Sequence, residues 1–227
     1  MCFSAKASFG AAAVLGGIGV LALSKAKTRE EKIVACMPLL FCFQQVSEGF
    51  LWLSLMYPSF KDVKTSSMYT FLFFAEMIWP IFVPFMVLMA EPNNKRRKWI
   101  RVLLGTGFGI IATLIAGFML YPSYASLRDG HILYEIGFPL VNYWFYGLIY
   151  FIPTIVAPLL SSYKSFRIFG IGLFLAYVGS RVFYNHYVIS IWCYFGALLS
   201  IYAVVMIREL QQKNATSYEL KQEVKYH

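Results

Sequence analysis

Seven long apolar stretches, at residues 8–24, 33–57, 68–90, 99–121, 143–161, 167–186 and 188–207, leave this chain little choice of solvent. Each is close to the ~20 residues that a helix needs to cross ~30 Å of hydrocarbon. The gaps between them alternate in charge. Fifteen of the twenty Lys and Arg residues fall in every second gap and in the tail: Lys25, Lys27, Arg29 and Lys32, then Lys95, Arg96, Arg97, Lys98 and Arg101, then Lys164 and Arg167, then Arg208, Lys213, Lys221 and Lys225. The other side receives Lys6, Lys61, Lys64, Arg128 and Arg181. Basic residues beside membrane helices stay cytoplasmic. The pattern therefore predicts an all-α, seven-transmembrane helix bundle with its N-terminus outside and its C-terminus inside, in the cytoplasmic (inner) membrane of a cell.

With 59% hydrophobic and 14% charged residues, the 227-residue chain has no room for a second, soluble domain. The expected division is a seven-helix domain over 1–209 and a polar cytoplasmic tail over 210–227. A net charge of +9 would suggest nucleic acid for a soluble protein. Here the excess sits in cytoplasmic loops, so the expected counter-charge is anionic lipid, and nucleic acid is excluded as a partner. Cys2, Cys36, Cys42 and Cys193 form no CxxC and no spacing that marks a disulfide framework.

Small residues at helical spacing in the first helix (Ala12, Ala13, Gly16, Gly17 and Gly19) and in the fourth (Gly105, Gly109) predict close helix packing within the bundle. Pro80 and Pro84 in the third helix, and Pro153 and Pro158 in the fifth, remove backbone donors and free carbonyls that can kink a helix or line a cavity. Between helices four and five, Asp129-Gly130 separates two short strand-favouring runs. That is the local signature of a primed turn, and it predicts a small β-hairpin over the outer mouth. Ile78-Trp79 and Ile191-Trp192 form a weak internal echo. It would suit parallel three-helix repeats about a central helix, as in small sugar-transporter folds.

Ionisable side chains inside a membrane cost roughly 2.5–3.5 kcal/mol on insertion scales, so each asks for a partner or a function. At 1.5 Å per residue, Glu48 lies about 22 Å from the cytoplasmic side and Arg181 about 21 Å, while Glu76 lies about 12 Å below the outer one. His186 follows near the outer interface. All four fall in the outer half. Gln44, Gln45, Glu48 and Trp52 form one polar-aromatic stripe, Glu76 and Trp79 another, and Tyr177, Arg181, Tyr184 and Asn185 a third. Stripes of this kind are expected to converge inside the bundle, joined by Asn142 at the start of helix five and by Trp192. Glu48, Glu76 and His186 are the candidate proton-transfer groups. Arg181 is the expected cation of the shared cavity.

Met1-Cys2-Phe3-Ser4-Ala5 with Ser8-Phe9, Gln44-Gln45-x-x-Glu48-Gly49-x-x-Trp52, Trp79-Pro80 and Ile191-Trp192-Cys193 resemble an uncharacterised family of small bacterial multi-pass membrane proteins that begin Met-Cys-Phe-Ser. The likeness spans most of the chain. It implies a bacterial membrane protein and supplies no reaction. Removal of Met1 would leave Cys2 with adjacent amine and thiol ligands, and with His186 and a carboxylate these suit a transition metal, copper or zinc.

Three functions compete. The first is an outward-facing buried polar pocket that binds a small molecule, a lipid headgroup or a metal, with or without catalysis. The second is a small-solute or proton-coupled transporter, and the third an assembly protein. A conventional zinc hydrolase is short of ligands, since the sequence has only three histidines and one of them is the last residue. A retinal protein would need a lysine inside helix seven, and there is none.

Overall fold

The computed structural model describes residues 4–142 and 144–226, with side chains described except at 141–142, 144–146, 148 and 217–226. Helix α1 (Ala5–Lys25) starts on Ser4, whose hydroxyl accepts from the amide of Ala7 at 3.2 Å. Its buried stripe of Ser8, Ala12, Leu15, Gly19 and Ala22 steps by three and four and packs on α2 (Arg29–Met56). Thr28 caps α2, accepting from the Glu31 amide at 3.3 Å. A 3-10 turn (Pro58–Val63) leads into α3 (Lys64–Leu72), which continues through a π-helical segment (Phe73–Ile78) into α4 (Trp79–Ala90).

Asn93 caps α5 (Asn94–Leu120), accepting from two amides at 2.9 and 3.1 Å. Strands β1 (Ser123–Arg128) and β2 (His131–Ile136) follow. Then come α6 (Trp144–Phe151), a second π segment (Ile152–Val156) and the single turn α7 (Ala157–Leu159). Helices α8 (Lys164–Phe183), α9 (Val188–Ser200) and α10 (Ala203–Tyr226) complete the chain.

Among the described residues, five helical stretches are long and apolar enough to cross a membrane, and α9 with α10, bent by 41°, makes a sixth. Over the residues whose side chains are described, the remaining apolar helix runs Ile149–Leu159, so six of the seven expected spans stand among the described residues, the sixth with a 41° bend.

Prolines stand at both π segments, Pro80 and Pro84 just beyond the first and Pro153 and Pro158 within and just beyond the second. In the π register the Ala75 carbonyl would accept from residue 80, but Pro80 has no N–H. Tyr150 Oη donates to that carbonyl instead. In the α register the carbonyl of Pro80 would look to residue 84, also a proline. Helix α5 approaches this spot so closely that a Cβ on Gly107 would stand 2.2 Å from the Pro80 oxygen. Gly107 is thus the packing glycine of α5. Gly105 and Gly109, expected in that role, face open space.

The hairpin forms as expected. Asp129 and Gly130 both take positive φ, 51° and 74°, as a type I′ turn requires. Ala125, Ile132, Tyr134 and Ile136 point inward and share a buried cluster with Leu51, Trp52, Phe71, Leu72 and Ala75. Tyr134 stacks on Phe71 with ring centroids 4.8 Å apart.

At the opposite end three acidic side chains hold the basic loops. Glu31, 1% exposed, accepts from the Lys27 amide at 2.8 Å and from Gln211 Nε2 at 2.9 Å. Glu91, also 1% exposed, accepts from Ser162 N at 2.7 Å and Ser162 Oγ at 2.5 Å. Glu209 reaches across to cap α8, accepting from Lys164 N at 2.9 Å and Ser165 N at 2.8 Å. Burial, together with Glu91, Glu209 and Glu30, holds the nearby Tyr163 hydroxyl above its ordinary pKa. The expected domain boundary at 209/210 falls inside α10, where Leu210 is buried and Gln211 is bonded to the bundle.

Candidate functional site

Helix α2 carries the polar stripe into the core. Gln44, Gln45 and Glu48 are each 0% exposed. Helix α9 runs antiparallel beside it and answers rung by rung. Ser190 Oγ donates to Glu48 Oε1 at 2.5 Å, Cys193 lies against Gln44, and Gly196 lets the Phe41 ring close in. A Cβ on Gly196 would sit 2.9 Å from Phe41 Cζ. The i, i+3 spacing of 190, 193 and 196 matches 48, 44 and 41 read backwards, which is how two antiparallel helices keep one face in contact. Helix α1 adds Ser8, whose Oγ makes a long 3.5 Å contact to Glu48 Oε2.

Around this carboxyl the hydrogen bonding is incomplete. Gln45 interacts with Glu48 electrostatically, yet neither of its amide atoms makes a hydrogen bond of normal geometry. Among the described residues the buried indole N–H of Trp52 has no hydrogen-bond partner either, and the amide nitrogen of Gln44 has only the Cys193 sulfur beside it. Buried polar atoms of this kind cost about 1–3 kcal/mol each when left unpaired. Glu76 sits buried in the first π segment, and among the described residues it makes no hydrogen bond or ion pair. It shares a neighbourhood with Glu48, since both carboxyls act electrostatically on Cys193.

Arg181 is not part of this cluster. It is exposed, in the last turn of α8, and makes no ion pair among the described residues. The last buried residue of α8 is Ser180, and Arg181 follows it in the exposed final turn together with Val182 and Phe183. Because α8 ends at Phe183, Arg181 also reaches the hairpin end of the bundle and the favourable C-terminal pole of its helix. The expected shared cavity of Glu48, Glu76 and Arg181 is therefore corrected to the two acids with hydroxyl and amide neighbours.

His186 and Asn185 are exposed in a 3-10 turn, and Tyr184 precedes them half-buried. This turn latches the hairpin. The His131 ring packs between Tyr184 and Tyr187 at 5.5 and 4.8 Å, and Tyr187 Oη donates to Asp129 Oδ2 at 2.9 Å. Asn142 lies in a short 3-10 turn, and its side chain is outside the described residues. Cys2 is outside them as well. Among the described residues no three of His, Cys, Asp and Glu are grouped to hold a metal, and His186 stands away from Glu48.

Below the polar cluster lies a narrow pocket walled by Phe41, Trp79, Tyr150, Phe169, Trp192 and Cys193, with Val83, Thr154, Leu173 and Gly196 completing it. Trp79 Nε1 donates to Gln44 Oε1 at 2.9 Å and Trp192 Nε1 to the Leu173 carbonyl at 3.2 Å, so both indoles are fixed as walls. Tyr177, half-buried, packs on Trp192 with centroids 5.1 Å apart. Four participants were not among the expected site residues: Ser190 and Tyr150, and Ser8 and Cys193, which entered only through the resemblance. Small or uncharged, they look like filler on apolar helices. The three-residue spacing Ser190, Cys193, Gly196 opposite the Gln44 stripe was the available signal.

The model of a family of unknown function, DUF6629, matches residues 1–219, nearly the whole chain. The chain belongs to DUF6629. It matches no curated protein and no solved structure. Of the residues that carry the resemblance, Ser8, Gln44, Gln45, Glu48, Trp52, Trp79 and Cys193 are all buried.

Proposed function

We propose that this DUF6629 member is a seven-span protein of the bacterial inner membrane, N-terminus outside and C-terminus inside, that binds a small molecule or lipid headgroup at the buried polar cluster around Glu48. One observation carries this reading. A fully buried carboxyl is held by serines from two other helices, with no Lys, Arg or His bonded to it among the described residues, and with the Trp52 N–H left without a hydrogen bond among those residues one turn further along α2. Such an arrangement is costly as mere packing and is fulfilled by a ligand that offers a donor to Glu48 and polar atoms to Gln45 and Trp52. The orientation rests on the fifteen-to-five division of basic residues, with Ile149–Leu159 as the core of the fifth span. Native mass spectrometry of the protein released from its own membrane tests the binding. A co-purified molecule is expected on the parent and lost in Glu48→Gln. Identical adducts on both, or none on either, would sink the reading.

A second reading is proton-coupled transport. It is favoured by two buried carboxyls, Glu48 and Glu76, with no Lys, Arg or His bonded to them among the described residues, and by the π segments and bent last span, which are places where helices rearrange. Reconstituted vesicles holding a pH-sensitive dye would show solute-dependent acidification if it holds, and no response if it does not.

A further inference from the structure

Glu48 divides its two carboxyl oxygens between different helices. Ser190 Oγ of α9 donates to Oε1 at 2.5 Å. Ser8 Oγ of α1 stands 3.5 Å from Oε2, beyond the usual range of a hydrogen bond between oxygens. The Gln45 side chain also interacts with Glu48, and its amide oxygen has no hydrogen-bond partner among the described residues. Ser8, Gln45 and Glu48 are each 0% exposed. Which end of an amide faces its neighbour follows from that neighbour's needs. A bare carboxylate is served by the amide nitrogen, whereas a carboxylate that carries a cation is served by the amide oxygen. Ser8 lies one turn, about 6 Å, inside the Ser4 cap of α1, so this group is near the hairpin end of the bundle.

We propose that Glu48 Oε2, Ser8 Oγ and Gln45 Oε1 bind a sodium ion between α1 and α2, with water completing its shell. The inference rests on the reading of Glu48 as a ligand-holding group and names a cation for it. All three donors are oxygens, the ligands that hard cations take. One carboxylate balances one positive charge, and among the described residues no three of His, Cys, Asp and Glu are grouped to hold a divalent or softer metal. The 3.5 Å between Ser8 Oγ and Oε2 matches the edge of an octahedron with bonds of about 2.5 Å, the length that calcium, an ion of sodium's size, makes to oxygen. Potassium, a larger ion, would need these oxygens further apart. The Trp52 N–H, a pure donor, takes no part and stays available to an acceptor atom of a second ligand.

The test uses the full chain in nanodiscs, washed free of sodium in choline chloride, with radioactive sodium as the probe. Saturable binding is expected, displaced by unlabelled sodium and about ten-fold less well by potassium. Glu48→Gln removes the charge and should abolish binding. Ser8→Ala withdraws one oxygen and should weaken binding about five- to ten-fold. Ser47→Ala, whose hydroxyl is bonded to Phe43 within its own helix, should leave it unchanged. Should Glu48→Gln not fold, the contrast between Ser8→Ala and Ser47→Ala decides. No saturable binding, equal displacement by sodium and potassium, or equal behaviour of the two serine variants overturns the proposal. Native mass spectra of the same preparations separate it from the broader reading. An organic adduct lost in Glu48→Gln without sodium binding overturns the ion and leaves that reading standing. Sodium binding with no organic adduct supports the ion and sinks that reading.

Discussion

Glu48 and Arg181 show how a charge within an apolar stretch is read correctly or wrongly. Glu48 lies on the same helical face as Gln44, and α9 supplies Ser190 to hold it. Ser190→Ala should therefore lower stability by about 1–3 kcal/mol, since it withdraws a hydrogen bond from a buried carboxyl. The loss should shrink in a Glu48→Gln background, where the acceptor carries no charge. Thermal melts of the two single variants and the double variant in detergent measure that coupling. Arg181 sits in the same depth range but in the exposed last turn of α8, past its last buried residue, Ser180. Arg181→Ala is expected to melt within about 0.5 kcal/mol of the parent, as exposed substitutions do. A large loss would mean that Arg181 is paired with a buried acid after all. Depth along a helix was legible from residue counts. The end of the helix was not, because the polar stripe Tyr177, Arg181, Tyr184 and Asn185 keeps its helical spacing past Phe183, where α8 stops.

Elements differ in how local their causes are. The hairpin was legible because Asp129-Gly130 states its turn within two residues, whereas in the first π segment the Ala75 carbonyl is met by Tyr150 from another helix, a contact that no local pattern states. The glycines of α5 make the same point. Gly105 and Gly109 form the expected small-residue pair, yet the face that meets α4 belongs to Gly107, because only there does the Pro80 carbonyl protrude. Gly107→Ala should cost about 1–3 kcal/mol through overpacking against backbone that cannot swing aside. Gly105→Ala and Gly109→Ala should be neutral or slightly stabilising through helix propensity. Melting the three variants side by side checks it. Equal behaviour of all three would show that α5 does not approach Pro80 so closely.

On the scale of the whole molecule, each end is closed by a different device. The hairpin covers one end with apolar side chains. Glu31, Glu91 and Glu209 tie the loops at the other, amid basic residues that would otherwise repel one another. Hydropathy made the spans visible and could not show that the polar tail begins as part of the bundle. Glu209 caps α8, Leu210 is buried, and Gln211 bonds to the Lys25 carbonyl at 3.2 Å and to Glu31. A chain ending after Thr216 keeps all of these contacts, and one ending after Arg208 loses them together. The longer truncation should melt like the parent. The shorter should lose the α8 cap, worth about 0.5–2 kcal/mol, and a buried leucine, worth about 1.5–3 kcal/mol, and so unfold measurably earlier in detergent. If both truncations melt alike, residues 209–211 do not close this end, and the division between bundle and tail falls where hydropathy alone would put it.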